Sequence, residues 1–136
     1  MSEHIPTGFH ALTPFLHVSD ARGFIAWATK ALGASTLFVH EEEDRVVHAE
    51  ILIEGCILEV SDGRSAWPAQ PSCFHLYVRD PDAVFARALE AGGEQLYEVT
   101  DHDYGERSGG VRDPFGNSWY LARVTDMAKR LPNQAQ

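Results

Sequence analysis

Two segments of the chain place apolar residues with the period of a helix. In the first segment the apolar face consists of Phe24, Ile25, Ala28, Ala31 and Leu32, and in the second of Val84, Phe85, Ala88 and Leu89. Asp20 and Asp80 stand at the starts of these segments, Pro81 follows the second Asp, and glycines close both segments. Asp is a favoured N-cap, Pro is tolerated in the first turn, and Gly ends helices. The sequence therefore predicts one helix from Asp20 to Gly33 and another from Asp80 to Gly93.

Short runs of strand type surround both helices. They cover residues 12–18, 35–40, 46–53 and 56–61 around the first helix, and 73–78, 94–100, 109–112 and 118–124 around the second. Each run is rich in apolar or β-branched residues and is bounded by turn residues. Each helix thus has one predicted strand before it and three after it.

The two halves repeat each other at a constant offset of 60 residues. Leu16 and Leu76, Val18 and Val78, Asp20 and Asp80, and Gly33 and Gly93 occupy equivalent places. Such an ungapped repeat indicates an internal duplication. The predicted fold class is α+β with two tandem βαβββ modules. We expect a single domain over 1–136, with module one at about 9–61, a polar linker at 62–71, module two at about 72–124 and a C-terminal tail at 125–136.

Composition and charge exclude several classes of partner. The net charge is -9, from 20 acidic and 11 basic residues, so no basic stripe for nucleic acid is expected. The sequence lacks an apolar run of the roughly 20 residues that a membrane-spanning helix needs, and its first residues do not resemble a signal peptide. We expect a cytoplasmic protein without nucleic-acid or membrane partners. Cys56 and Cys73 are predicted to be reduced and buried.

Strand alternation assigns a second set of side chains to the face away from the core. Because neighbouring strand residues point to opposite faces, the apolar positions of each strand identify the remaining ones. Val47, Ala49, Ile51 and Ile53 suit the core of the third strand. The opposite face is then predicted to carry these residues: Thr13, Phe15, His17, His48, Glu50, Leu52, Ile57, Glu59, Ser61, Cys73, His75, Tyr77, Ser118, Tyr120 and Ala122.

Three motifs resemble a known family. Leu76 to Ala83, Tyr104 to Gly109 and Val111 to Trp119 are similar to the glyoxalase-like, PhnB-like branch of the vicinal oxygen chelate superfamily, and so is His48-Ala49-Glu50. The superfamily includes glyoxalases, bleomycin-resistance proteins and extradiol dioxygenases, and the resemblance covers about residues 9–124. It implies a curved eight-stranded mixed sheet around a cavity, and a homodimer.

The resemblance also implies where metal ligands would lie. Enzymes of the superfamily use one position on each of four strands, and these positions correspond here to Thr13, Glu59, Cys73 and Tyr120. Glu59 alone is a typical ligand of hard divalent ions. A displaced site of Glu59, His75 and either His17 or His48 is the alternative. The cofactor is then either none or a divalent metal, Zn, Ni, Mn or Fe.

Two functions follow from these expectations. The first is a small-molecule-binding protein that sequesters or carries a planar, partly polar, antibiotic-like ligand in a dimer cavity. Its candidate ligand-binding residues are Phe15, His17, His48, Glu50, Trp67, His75, Tyr77, Tyr104, Arg107 and Tyr120. The second is a metal-dependent lyase, isomerase or dioxygenase that uses the displaced His/Glu site, with Glu59 or Glu50 as general base. The competing interpretation of these glutamates and histidines is a set of internal ion pairs and hydrogen bonds.

Overall fold

The structure, a computed structural model, describes residues 3–131. The chain divides into two compact units, with the boundary between Pro71 and Ser72. Each unit has one four-stranded mixed sheet and one long helix in the order βαβββ, so the predicted fold class and duplicated modules are confirmed. The eight strands form two separate four-stranded sheets.

The first unit builds its sheet around β4. Its elements are β1 (Phe15–Val18), α1 (Ala21–Leu32), β2 (Ser35–Glu42), β3 (Arg45–Ile53) and β4 (Cys56–Asp62). The strand order is β1-β4-β3-β2, with β1 parallel to β4 and the other pairs antiparallel. The side chain of Asp20 accepts a hydrogen bond from the Gly23 N–H, and Gly33 closes α1 at φ 71°. The apolar face of α1 packs on the sheet through Phe24, Ala28 and Ala31, which are fully buried.

The second unit repeats this arrangement. Its elements are β5 (Cys73–Tyr77), α2 (Pro81–Glu90), β6 (Glu94–His102), β7 (Glu106–Arg112), β8 (Ser118–Val124) and a short α3 (Met127–Arg130). The strand order is β5-β8-β7-β6. The buried carboxylate of Asp113 accepts hydrogen bonds from Asn117 and from the indole N–H of Trp119, which fixes the turn between β7 and β8. Trp119 is buried.

A β-bulge in β3 changes the face that one residue occupies. His40 pairs with His48 and Glu41 pairs with Val46, so Val47 has no partner of its own on β2. An extra residue in one strand reverses the alternation beyond it. Val46 is therefore buried in the core, and the prediction that Val47 faces the core is wrong.

Several further expectations differ from the structure. Strand β1 begins at Phe15, three residues after the predicted start, and α2 ends at Glu90, three residues before the predicted Gly93. Strand β7 begins at Glu106, three residues before the predicted start, because Glu106, Ser108 and two glycines carry no strong strand signal. Helix α3 lies in the predicted tail and is capped by the Asp126 side chain. Cys56 and Cys73 are exposed free thiols, so their predicted burial is wrong.

No helix between residues 3 and 131 combines the length and the apolar character needed to cross a membrane.

Candidate functional site

Glu59 lies at the centre of the open face of the first sheet. Strand β4 has a neighbour on each side, and the register places Phe15 of β1 and Glu50 of β3 directly beside Glu59. His48 and Glu50 are two residues apart on β3, beyond the bulge, so the regular alternation of the strand puts both on this same face. The alternation of β3 and β4 thus brings two carboxylates and one imidazole together.

These three side chains form a compact cluster. Nε2 of His48 lies 3.0 Å from Oε2 of Glu50 and 3.3 Å from Oε1 of Glu59. One potential ligand atom from each residue lies within 4.8 Å of the other two, and all three side chains are half-buried. One imidazole nitrogen and two carboxylate oxygens suit a divalent transition metal ion. The donor set therefore fits the divalent metal that the superfamily resemblance implies. Glu59 occupies one of the four ligand positions implied by that resemblance, whereas His48 does not.

A hollow of about 550 Å³ adjoins the cluster. Glu50 and Glu59 line it together with residues of the N-terminal segment, among them His4, His10 and Thr13. The hydroxyl of Thr13 donates a hydrogen bond to the carbonyl oxygen of His10 at 2.9 Å. Thr13 thus holds the segment in a local turn, while the two carboxylates face open space large enough for a small molecule.

A second hollow, of about 260 Å³, lies on the same unit. It is lined by Phe15, His17, Arg45, Val47, Arg64 and Trp67. The rings of Phe15 and His17 have centroids 5.0 Å apart, and Nδ1 of His17 lies 3.0 Å from the hydroxyl of Ser61. We call this space the Trp67 hollow. Its lining combines the aromatic rings of Phe15 and Trp67 and an imidazole with two arginines and one valine.

The second unit has a buried carboxylate beneath two exposed aromatic residues. Glu106 is fully buried and accepts hydrogen bonds from the Tyr77 hydroxyl at 2.5 Å and from Nε of Arg130 at 2.6 Å. Nε2 of His75 lies 3.3 Å from the other oxygen of Glu106, and the His75 ring stacks on Tyr77. Residues of β5, β7 and α3 therefore meet at one carboxylate.

The pKa values of Glu106 and Tyr77 move in opposite directions. Burial raises the pKa of Glu106, but the hydrogen bonds from Tyr77 and Arg130 and the nearby positive charge outweigh it, so the net shift is downward. Burial of the phenol raises the pKa of Tyr77, and the hydrogen bond that it donates to Glu106 raises it further. Glu106 consequently stays an anion and Tyr77 stays a hydrogen-bond donor near neutral pH.

Three other predicted ligand-binding residues have their own partners. Arg107 forms ion pairs with Asp82 at 2.8 Å and Asp101 at 3.1 Å. Tyr104 is exposed and stacks on His102, and Tyr120 stacks on Tyr97 with ring centroids 6.4 Å apart. The guanidinium of Arg107 is thus directed to α2 and β6, away from the His75 and Glu106 group.

The structure groups the predicted residues in three places. His48, Glu50 and Glu59 form the cluster, Phe15, His17 and Trp67 share the hollow, and His75 and Tyr77 contact Glu106. The predicted metal set that joins His75 to Glu59 stays a prediction, since these residues belong to different units. His17, the other candidate metal ligand, is hydrogen-bonded to Ser61.

Four residues with a place in these groups were absent from the sequence prediction. They are Arg45, Arg64, Glu106 and Arg130. The alternation of Glu106 with Ser108 and Gly110 could have indicated Glu106 had the start of β7 been recognised. Nothing in the local sequence distinguishes Arg45 and Arg64 from ordinary surface arginines. Their positions beside the same hollow depend on the bulge in β3 and on the path of the linker.

Comparison with known proteins agrees with this architecture. The family model of the Glyoxalase/Bleomycin resistance protein/Dioxygenase superfamily matches residues 9–121. An uncharacterized protein of Mycobacterium bovis is 36% identical over 125 residues, which cover 83% of this chain and 82% of that protein.

Two solved structures resemble the chain in fold. TioX from Micromonospora sp. ML1 has a TM-score of 0.69 at 21% identity and covers 86% of this chain and 98% of its own. The fosfomycin resistance protein FosX from Listeria monocytogenes has a TM-score of 0.68 at 18% identity, with 91% and 97% covered. With the family model matching most of its length, the chain belongs to the Glyoxalase/Bleomycin resistance protein/Dioxygenase superfamily.

Proposed function

We propose that the protein binds a planar, partly polar small molecule and that the Trp67 hollow receives its ring. The observation that carries this proposal is the convergence of Phe15, His17 and Trp67 around one open space. Aromatic walls gain about 0.5 to 1.5 kcal/mol per ring pair beyond the burial of apolar area. A flat ligand is the shape that makes use of such walls.

The size of the hollow limits the ligand. Its volume of about 260 Å³ lies just below the roughly 300 to 1,000 Å³ of typical small-molecule sites. A ligand with a single ring or with two fused rings therefore fits the hollow.

Tryptophan fluorescence tests the proposal directly. Trp27 and Trp119 are 4% and 1% exposed whereas Trp67 is 53% exposed, so a ligand in the hollow should change chiefly the Trp67 emission. We expect a panel of one- and two-ring aromatic compounds to give a saturable change and a rise in Tm, and Trp67→Leu to abolish both. Phe38→Leu, which removes an exposed aromatic side chain of β2 that does not line the hollow, is the matched control. A panel without any response would refute the proposal.

A metal-dependent reaction is the second candidate function. It is favoured by the His48, Glu50 and Glu59 cluster and by the adjoining hollow. These three residues would hold the ion, which supplies Lewis-acid polarisation of substrate oxygens when bound. A lyase, isomerase or dioxygenase would use this chemistry, with Glu50 or Glu59 serving as general base whenever it is not a ligand.

Metal analysis of the purified protein after exposure to Zn, Ni, Mn and Fe separates the two candidates. The metal-dependent candidate requires close to one equivalent of one of these ions, and Glu59→Gln should lower the affinity by about tenfold or more. Glu98→Gln, on an exposed position of β6, serves as control. Less than about a tenth of an equivalent of bound metal with every ion would refute the metal-dependent candidate, and small-molecule binding would remain as the proposed function.

The quaternary state is part of the proposal. We propose a homodimer, on the basis of the superfamily resemblance and the symmetric assemblies that most soluble oligomers form. Sedimentation velocity at two protein concentrations measures this state. A single species of about 15 kDa would rule the dimer out.

A further inference from the structure

We propose that the ligand of the Trp67 hollow is an anion, a planar aromatic acid whose carboxylate is bound by Arg45 and Arg64. This inference rests on the proposed binding function and specifies its ligand class. It starts from the fact that two of the six residues lining the hollow are arginines.

Between residues 3 and 131 neither of the two guanidinium groups has a carboxylate as a salt-bridge partner. Arg45 donates from Nη2 to the backbone carbonyl oxygen of Asp62 at 3.0 Å, and Arg64 lies over the Trp67 ring, 4.6 Å from its centroid. Within residues 3–131 the ion pairs of arginine involve Arg22, Arg107, Arg112 and Arg130. Both guanidinium groups of the hollow thus retain N–H donors for a ligand.

Two acidic groups near the arginines, those of Asp62 and Glu42, have other partners. The carboxylate of Asp62 accepts hydrogen bonds from the Ala21 and Val46 backbone N–H groups, each at 2.7 Å. Glu42, the cross-strand partner of Arg45, forms an ion pair with His40 at 3.0 Å. Among the described residues neither guanidinium group forms a salt bridge with a carboxylate, so both can pair with a negative group of a ligand.

The linker holds Arg64 and Trp67 in position before any ligand arrives. Arg64 N–H donates to the Trp67 carbonyl oxygen at 2.8 Å. The linker is tied to β1 by hydrogen bonds from Gly63 to Val18 at 2.8 Å and from Gln70 to His17 at 3.1 Å. A Cβ at Gly63 would lie 2.5 Å from the backbone nitrogen of Ala69, so this close return of the chain requires glycine. Preorganised groups lose less entropy on binding.

The combination of groups identifies the ligand chemistry. Guanidinium groups bind carboxylates through paired hydrogen bonds, and the aromatic rings of Phe15 and Trp67 contact flat apolar surface. A carboxylate attached directly to one or two fused rings satisfies both parts of the hollow at once. A neutral ring compound would leave both guanidinium groups without an anionic partner.

Paired acids and amides test the charge requirement. Benzoate, 2-naphthoate and indole-3-carboxylate are each compared with the corresponding amide by isothermal titration calorimetry. We expect at least one acid to bind about tenfold more tightly than its amide. Equal binding of every pair would overturn the anion inference and leave the binding function intact, whereas no binding of either series would count against both.

Variants of the two arginines test the location. Arg45→Gln and Arg64→Gln should each lower the affinity for the acid about tenfold and leave the affinity for the amide unchanged. Arg64→Lys should retain part of the affinity for the acid, because lysine keeps the positive charge but lacks the planar guanidinium group. Arg112→Gln, an exposed arginine of the second unit, is the control. Equal losses of acid affinity in the control and the two variants, at unchanged Tm, would overturn the assignment.

Discussion

Glu106 is a single residue on which three elements of the second unit depend. It is fully buried, and its charge is compensated by the hydrogen bonds from Tyr77 and Arg130. A buried carboxylate of this kind stabilises the fold only while its partners remain. The structure therefore makes the stability of the protein sensitive to the ionisation of this one group.

Glu106→Gln should change both the stability and its pH dependence. The pKa of Glu106 is lowered from its ordinary value of 4.5 in the folded state. Its contribution to stability is thus fully present above the unfolded pKa and is lost as the pH falls through the lower folded pKa. We expect Glu106→Gln to reduce the free energy of unfolding at pH 7 by about 1 to 3 kcal/mol and to flatten the acid limb. Urea denaturation between pH 3 and pH 7 measures this.

The control for this experiment is Glu98→Gln. Glu98 is an exposed carboxylate of the same unit, so its replacement should leave stability within about 0.5 kcal/mol of the parent. If Glu106→Gln and Glu98→Gln had the same pH profile as the parent, the buried network would have no role in acid stability.

The candidate site was predictable from sequence only where strands alternate regularly. His48, Glu50 and Glu59 were identified because they stand at alternate positions of two apolar strands. Arg45 and Arg64 depend on a bulge and on a linker path that no local pattern reports. Glu106 was missed because the start of β7 carries no strong strand signal, and its partner Tyr77 is 29 positions away in sequence.

At the scale of elements, two glycines that follow the helices have different physical roles: Gly33 is the C-cap of α1, whereas α2 has Ala91 as its C-cap and Gly93 directly precedes β6. The offset of 60 equates Gly33 with Gly93. Gly33 adopts φ 71° and a Cβ there would meet nothing within 4 Å. A Cβ at Gly93 would lie 2.7 Å from the Ala88 carbonyl oxygen and 2.6 Å from Val111. Gly33 thus supplies a left-handed conformation, and Gly93 supplies space.

Substitution by Ala and Asn should separate these two roles. Gly33→Ala should cost about 1 to 2 kcal/mol, and Gly33→Asn less, because Asn tolerates the left-handed region. Gly93→Ala should cost about 1 to 3 kcal/mol by overpacking, and the larger Asn should cost more. Thermal unfolding of the four variants measures the order. The assignment fails if Asn is better tolerated than Ala at position 93.

The elements themselves were largely predictable. Asp caps, helical periodicity and terminal glycines defined both long helices, and seven of the strands followed from apolar runs. The start of β7 and the short α3 escaped detection. Glycines and polar residues in β7 are stabilised by neighbouring strands, and α3 is capped by Asp126 and held by the contact of Arg130 with Glu106. Both depend on tertiary contacts that a single sequence does not display.

At the scale of the whole molecule, the duplication has kept the fold and changed the chemistry. The offset of 60 takes His48 to Ser108 and Glu50 to Gly110. In the sheet of the second unit, Gly110 pairs with Tyr120 as Glu50 pairs with Glu59 in the first. A hydroxyl, a glycine and a phenol thus stand where the first unit has an imidazole and two carboxylates.

This asymmetry predicts the number of metal ions if the metal-dependent candidate holds. A second site cannot be built at Gly110, because a Cβ there would lie 2.5 Å from the ring of Tyr97. We expect metal titration to saturate at one equivalent per chain. His48→Gln should abolish this metal binding, since the single imidazole ligand is lost. Ser108→Ala, the equivalent change in the second unit, should leave it in place. Two equivalents, or equal loss in both variants, would contradict a site confined to the first unit.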